Sequence, residues 1–183
     1  MNILIVGATS AIAIATARRF AMRNSCFCLL ARNMDKMESV SKDLIVRGAA
    51  NVKCFSIDLV DRDQQTSKIK EAFSLFKEFD LVLVCYGSLP NQSQCEANAE
   101  QTTKALDCNA LSVLSFLTTL IPYMENSKKG TIAVVTSVAG DRGRRSNFIY
   151  GSAKAMVSSY LQGLRGKLAE ANVSLLEIRP GLV

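Results

Sequence analysis

Six short strand-like runs, most of them apolar and separated by longer segments of helical period, constrain this chain more than any other feature. The runs cover residues 2–6, 26–30, 52–57, 81–86, 131–136 and 173–178. A strand that is apolar on both faces is one covered on both sides. The intervening segments read as helices. Residues 11–23 are Ala-rich, and residues 34–47 carry Met37, Val40, Leu44 and Ile45 at helical spacing. Residues 62–79 place Ile69, Phe73 and Phe76 on one face. Residues 98–126 form a long helix, bent near Pro122, after a polar linker at 91–98. Residues 150–171 form the last. Strict alternation of six strands and five helices predicts an α/β, three-layer, doubly wound parallel sheet. Right-handed crossovers favour the order 3-2-1-4-5-6 within one domain spanning residues 1–183. Ligands of such sheets lie beyond the carboxyl ends of the strands.

Composition narrows the chemistry. The chain has 49% hydrophobic and 21% charged residues, as an ordinary folded domain does. Its formal charge of +6 could serve nucleic acid, a membrane surface or an anionic small molecule. It has no Trp and no long basic run, so a phosphorylated small molecule explains the charge better than nucleic acid. Histidine is absent, which excludes a Ser-His-Asp triad, a histidine base and His-containing zinc sites. The six cysteines form no C-x-x-C pair. Four of them, Cys26, Cys28, Cys54 and Cys85, lie in or beside apolar runs, as reduced core residues of a cytoplasmic protein would. The apolar N-terminus lacks the basic start of a signal peptide and reads as a strand entering a helix. No run of 18 apolar residues exists, so no transmembrane segment is expected.

Residues that carry chemistry fall in the loops after the strands. The turn Gly7-Ala-Thr-Ser10 into helix one would aim helix N–H groups of Ala11 and Ile12, with Thr9 and Ser10, at a pyrophosphate. Strand two ends at Leu30-Ala31-Arg32. An NAD site would want an acidic residue there, whereas Arg32 could clamp a 2′-phosphate. A solvated loop arginine is the other reading. Asp58, followed by Leu59, could accept a hydrogen bond from an adenine amino group, or could simply cap a turn. Tyr150 and Lys154 are four apart and share a helix face. An ammonium and a helix N-terminus nearby would lower a phenol whose ordinary pKa is about 10. Tyr150 could then exchange a proton with an alcohol or carbonyl, with Ser137 hydrogen-bonding the same oxygen. Asn109 breaks an otherwise apolar helical stretch, so it is either a site residue, holding a water for Lys154, or a surface Asn. Arg142, Arg144 and Arg145 lie between Ser137 and Tyr150. They could bind a substrate phosphate, or form a solvated loop or subunit contact.

These residues together resemble the short-chain dehydrogenase/reductase family. The matching motifs are Val6-Gly7-x-x-x-Ala11-Ile12-Ala13, Asp58-Leu59, Tyr86-Gly87, Asn109, Ser137, Tyr150-x-x-x-Lys154 and Arg179-Pro180-Gly181. The resemblance implies a Rossmann-like fold, a nicotinamide cofactor and a catalytic set of Asn109, Ser137, Tyr150 and Lys154. It implies cofactor contacts from Tyr86, Gly87, Tyr150, Lys154, Pro180, Gly181 and Val183, and pairing into a homodimer or homotetramer. The stretch GDRGRRSNFIYGSAKA is similar, more narrowly, to decaprenylphosphoryl-2-keto-erythropentose reductases, which act on a lipid-linked keto sugar.

The chain also departs from the family. Thr is usual at position 6 and Gly at 11 and 13. Asn-Asn-Ala-Gly is usual where Val84-Cys85-Tyr86-Gly87 stands, and Cys85 cannot make the amide's hydrogen bonds. Members usually continue through another helix pair and a seventh strand, so the chain reads as C-terminally truncated. The expectation is an oxidoreductase preferring NADP(H) over NAD(H) and interconverting a carbonyl and an alcohol, on a small-molecule or lipid-linked substrate. The alternative is a cofactor-binding module without turnover.

Overall fold

The computed structural model describes residues 1–181. Val183, expected at the cofactor, lies outside the described residues. Six parallel strands stand in the order β3-β2-β1-β4-β5-β6, as the alternation predicts. They are β1 Asn2–Val6, β2 Cys26–Ala31, β3 Asn51–Ser56, β4 Leu81–Val84, β5 Thr131–Val135 and β6 Ser174–Ile178. The helices are α1 Ala11–Ala21, α2 Met34–Val46, α3 Arg62–Phe76, α4 Gln92–Ala97, α5 Ala99–Leu106, α6 Ser112–Ser127 and α7 Phe148–Glu170.

The period of two along each strand sorts the core into two layers. Leu4, Val6, Cys28, Leu30, Val82, Val84, Ile132 and Val134 join one cluster with Ile69 and Phe73 of α3, Phe116 and Leu120 of α6, and Val157 and Leu161 of α7. Ile3, Ile5, Phe27, Leu29, Leu83 and Ala133 join the other with Ala13 and Ala17 of α1 and Met37 and Leu44 of α2. Burying each large side chain of this kind stabilises the fold by about 1.5–3 kcal/mol. The chain changes sides of the sheet between β3 and β4. The segments that follow β1 and β4 therefore turn to opposite faces and leave a crevice beyond those strand ends, which is where ligands of such sheets bind.

Two expectations about the middle of the chain are corrected. Residues 91–98 are not a plain linker, because Asn91 caps the short helix α4 by accepting from Gln94 N at 3.0 Å. The long helix is interrupted by a π-type turn at Asp107–Leu111, and Pro122 lies inside α6. The cause is a side chain in the helical ladder. Asn109 Nδ2 donates to the Ala105 carbonyl at 3.0 Å, the acceptor an α-helix reserves for the Asn109 main-chain N–H. Ala99–Ser127 as a whole is long and apolar enough to cross a membrane. Here its inner face, including Val113, Phe116, Leu117, Leu120, Ile121 and Met124, covers the sheet.

Candidate active site

The tertiary structure brings Ser137, Tyr150, Lys154 and Asn109 to one end of the sheet. Ser137 follows β5 and opens a 3₁₀ turn at Val138–Gly140, its Oγ accepting from Ala139 N at 3.1 Å. Tyr150 is the third residue of α7 and is half-buried. Ser137 and Tyr150 line one cavity of about 320 Å³ with Ile12, Leu89, Val138, Arg144, Asn147, Pro180 and Gly181. A second cavity, of about 160 Å³, adjoins it at Tyr150 and is lined by Ser10, Ile12, Cys85, Tyr86, Gly87 and Lys154.

Lys154 lies one turn beyond Tyr150 and is 3% exposed. Its Nζ donates to the Tyr86 carbonyl at 3.4 Å and stands 5.6 Å from the centroid of the Tyr150 ring. Burial pushes the ammonium down to about 8. Asn109 is fully buried, and its Oδ1 accepts from Ser88 N at 2.8 Å. Gly87 lets these two side chains approach. Its φ is +143°, and a Cβ there would sit 2.7 Å from Asn109 Oδ1 and 3.1 Å from Lys154 Nζ. Asn109 is thus a buried neighbour of Lys154 and not a surface asparagine.

One electrostatic expectation is corrected. The Tyr150 phenol stands above its ordinary value, because burial raises it and the Ser137 hydroxyl only partly opposes that. In this geometry Tyr150 holds its proton near neutrality.

The turn after β1 has the backbone that its expected role needs. Gly7 has φ +74°, and a Cβ there would lie 2.4 Å from the Cys85 carbonyl oxygen. Ser10 caps α1, accepting from Ala13 N at 3.1 Å. The first-turn N–H groups of Ala11 and Ile12 have no intrahelical acceptor, and Ile12 lines both cavities, so an anion there could meet them. Thr9 is half-buried in the same turn. Ala13 is fully buried in the α1–sheet contact, so its methyl group serves packing. Cys85 lines the smaller cavity where the family usually has an amide, and burial pushes its thiol up to about 11.

The rim residues are placed less uniformly. Arg32 is exposed just past β2 and makes no ion pair among the described residues. Asp58 Oδ1 accepts from Val60 N at 3.1 Å and from the Tyr86 hydroxyl at 3.5 Å, so it already shapes a turn. Leu59 is 1% exposed in the core, and its carbonyl accepts from Gln65 and Arg62. Its side chain is therefore not at the cleft. Of the three loop arginines, Arg144 reaches the cavity wall, while Arg142 and Arg145 stand exposed. Glu177, unremarked in the sequence, lies beneath the site. The signal that could have found it is a carboxylate inside the otherwise uncharged run 173–178.

The comparisons with known proteins agree with this geometry. The family described as short chain dehydrogenase matches residues 1–183. An uncharacterized oxidoreductase of Streptomyces coelicolor is 31% identical over 183 residues, covering 100% of this chain and 72% of the relative. The structure of NAD+-bound xylitol dehydrogenase superposes with a TM-score of 0.91 at 21% identity, covering 98% of this chain and 69% of that one. That of an actinorhodin polyketide ketoreductase with NADPH has a TM-score of 0.91 at 20% identity, covering 100% and 70%. The chain belongs to the short-chain dehydrogenase family, as an oxidoreductase with the nicotinamide-dinucleotide-binding fold.

Proposed function

We propose that this protein reduces a carbonyl to an alcohol, or reverses that reaction, with NADP(H) as the preferred cofactor. The observation that carries the proposal is the shared cavity wall of Ser137 and Tyr150, with buried Lys154 one turn behind the phenol and Asn109 beside it. A nicotinamide dinucleotide, when bound, supplies or accepts the hydride. Gly7, Thr9, Ser10, Ala11 and Ile12 would hold its pyrophosphate, and Pro180 and Gly181 would border its nicotinamide.

Tyr150 gives its proton to the carbonyl oxygen in reduction and takes one from the hydroxyl in oxidation. Because burial keeps the phenol protonated, the described geometry suits the proton-donating direction. Ser137 Oγ donates a hydrogen bond to the same oxygen and stabilises the charge that develops there. The Lys154 ammonium lowers the cost of the phenolate left behind. Asn109 holds the Ser88–Gly87 segment against Lys154 and so fixes where the ammonium sits. In Tyr150→Phe, carbonyl-dependent NADPH oxidation should fall by at least about 100-fold, since positioned acid–base groups contribute ~10²–10⁴. Undiminished turnover would refute the proposal. Tight NADPH binding without turnover on any carbonyl would favour the reading of a cofactor-binding module.

NADP(H) preference is supported by Arg32, a free cation at the end of β2 where Ala31 offers no carboxylate. Arg32→Ala should weaken NADPH far more than NADH, and equal losses would refute the 2′-phosphate role. An anionic substrate is supported by Arg144 on the cavity wall, and the resemblance of residues 140–155 suggests a keto sugar or a lipid-linked keto sugar. Pairing with a second copy is supported by an apolar groove between α6 and α7 that includes Ile121, Pro122, Tyr160 and Leu164. Sedimentation of the purified chain as a monomer would refute it.

A further inference from the structure

Glu177 is the charged residue of β6, paired in register with Val134 of β5. Its side chain is 6% exposed. Three donors converge on it from three different places. Thr136 Oγ1 donates to Oε1 at 2.8 Å. Ser158 Oγ donates to the same oxygen. Arg179 Nη2 donates to Oε2 at 2.7 Å. Arg179 Nη1 in turn donates to Asp141 Oδ1 at 3.0 Å.

Every partner adjoins the site. Thr136 precedes Ser137. Ser158 lies one turn beyond Lys154 on α7. Arg179 precedes Pro180 and Gly181. Asp141 ends the 3₁₀ turn that Ser137 opens. Main-chain bonds close the same joint, with Thr136 N donating to the Ile178 carbonyl at 2.8 Å and Val138 N to the Pro180 carbonyl at 3.3 Å. Stability alone does not account for a charge here, because Arg179 is 38% exposed and an ion pair open to water on one side is worth little. What an apolar residue cannot do is fix three donors from separate elements at defined distances.

We propose that Glu177 is a positioning residue for the reaction, holding Ser137 and the turn after it in register with the Tyr150–Lys154 face of α7. The inference rests on the roles given above to Ser137 and Tyr150. Glu177→Gln tests it with little change of shape. The amide oxygen can keep the two hydroxyls, but the amide N–H₂ then faces the guanidinium. Arg179 is released, and Asp141 with it.

Two measurements decide the matter. The first is amide hydrogen exchange at Val138, Ala139 and Gly140 in the cofactor-free chain. The second is steady-state carbonyl reduction by wild type, Glu177→Gln, Ser137→Ala and the double variant. Exchange at those three amides should rise by at least about tenfold while Ile5 and Leu29 stay protected, because the joint opens locally. The kcat should fall by about tenfold with KM little changed, as a displaced positioning group costs orientation and not binding. In the Ser137→Ala background Glu177→Gln should cost nothing more, the mark of two residues acting as one unit. Arg179→Met opens the same joint from the loop side and should reproduce the exchange pattern if Glu177→Gln does not fold. Unchanged exchange at residues 138–140, fully additive losses, or unfolding of both variants would overturn the inference. Absence of wild-type turnover on every carbonyl would instead sink the proposed activity, and the exchange data would still decide whether the joint exists.

Discussion

Replacing Lys154 by Met should make the cofactor-free protein more stable and inactive. The ammonium is 3% exposed and has one protein acceptor, the Tyr86 carbonyl at 3.4 Å. Burial lowers its pKa from 10.5 to about 8. At ~1.4 kcal/mol per unit, holding the charge inside costs about 3 kcal/mol at pH 7. Met has nearly the same length and fills the space without a charge. It leaves the Tyr86 carbonyl unpaired, which costs about 1 kcal/mol. The net gain at pH 7 is about 2 kcal/mol, or a melting temperature higher by about 4–8 °C for a chain of this size. The gain depends on pH. The unfolded chain keeps the Lys154 proton up to about pH 10.5, whereas the native chain releases it near 8. Between those values the unfolded state binds more protons, so wild-type stability rises with pH and the variant's advantage shrinks. Urea unfolding of both proteins at pH 7, 9 and 10.5 measures the difference directly. A variant less stable than wild type at pH 7, or a difference that does not change with pH, would refute the reasoning.

Other perturbations test single contacts. Glu177→Gln should also flatten the acid limb of stability: the Arg179 guanidinium, with help from Ser158 and Thr136, holds this carboxyl down to about 2. Wild type therefore loses this contribution as pH falls from about 4.5 to 2, by no more than about 1 kcal/mol because the guanidinium is open to water, and calorimetry of the variant should show no such loss from this group. Gly151→Ala and Gly166→Ala, both on α7, should have opposite signs. Helix propensity favours Ala by about 1 kcal/mol at each. At 151, however, the Cβ would sit 2.6 Å from the Ala139 carbonyl oxygen, while at 166 nothing lies within 4 Å. Thermal unfolding should show Gly166→Ala stabilised and Gly151→Ala destabilised, and two gains would contradict the packing argument. Gly87→Ala should lower stability by about 2 kcal/mol, through its positive φ and its displacement of Asn109 and Lys154. Its kcat should fall more than its affinity for NADPH, and the reverse order would argue that Gly87 serves the cofactor and not Lys154.

The sheet and its order were legible because period and alternation are local properties of a sequence. Each strand was found to within two residues at either end. The gathering of the candidate site residues was legible for a related reason. Ser137 sits at a strand end, and Tyr150 and Lys154 share a helix face, so spacing alone places them. Asn109 was visible as a polar residue in an apolar helix, but its effect was not. The π-type turn arises because its amide takes the Ala105 carbonyl, and no propensity scale contains that competition. The interruption of the helix at Asp107–Leu111 was therefore not foreseen, although Pro122 does lie inside α6.

What the sequence determined by itself is the set of periodic elements and the chemistry of their loop residues, since both depend on neighbours along the chain. What the tertiary structure decided is which groups are buried, and with whom. Leu59 went to the core and Arg144 to the cavity wall, although both lie in loops. Lys154 lost its water and so part of its hold on the proton, while the Tyr150 phenol rose where a neighbouring ammonium was expected to lower it. Glu177 became the meeting point of β5, α7 and the segment after β6. Desolvation and convergent hydrogen bonding depend on residues far apart in the chain, so they exist only once the sheet has brought its strand ends together.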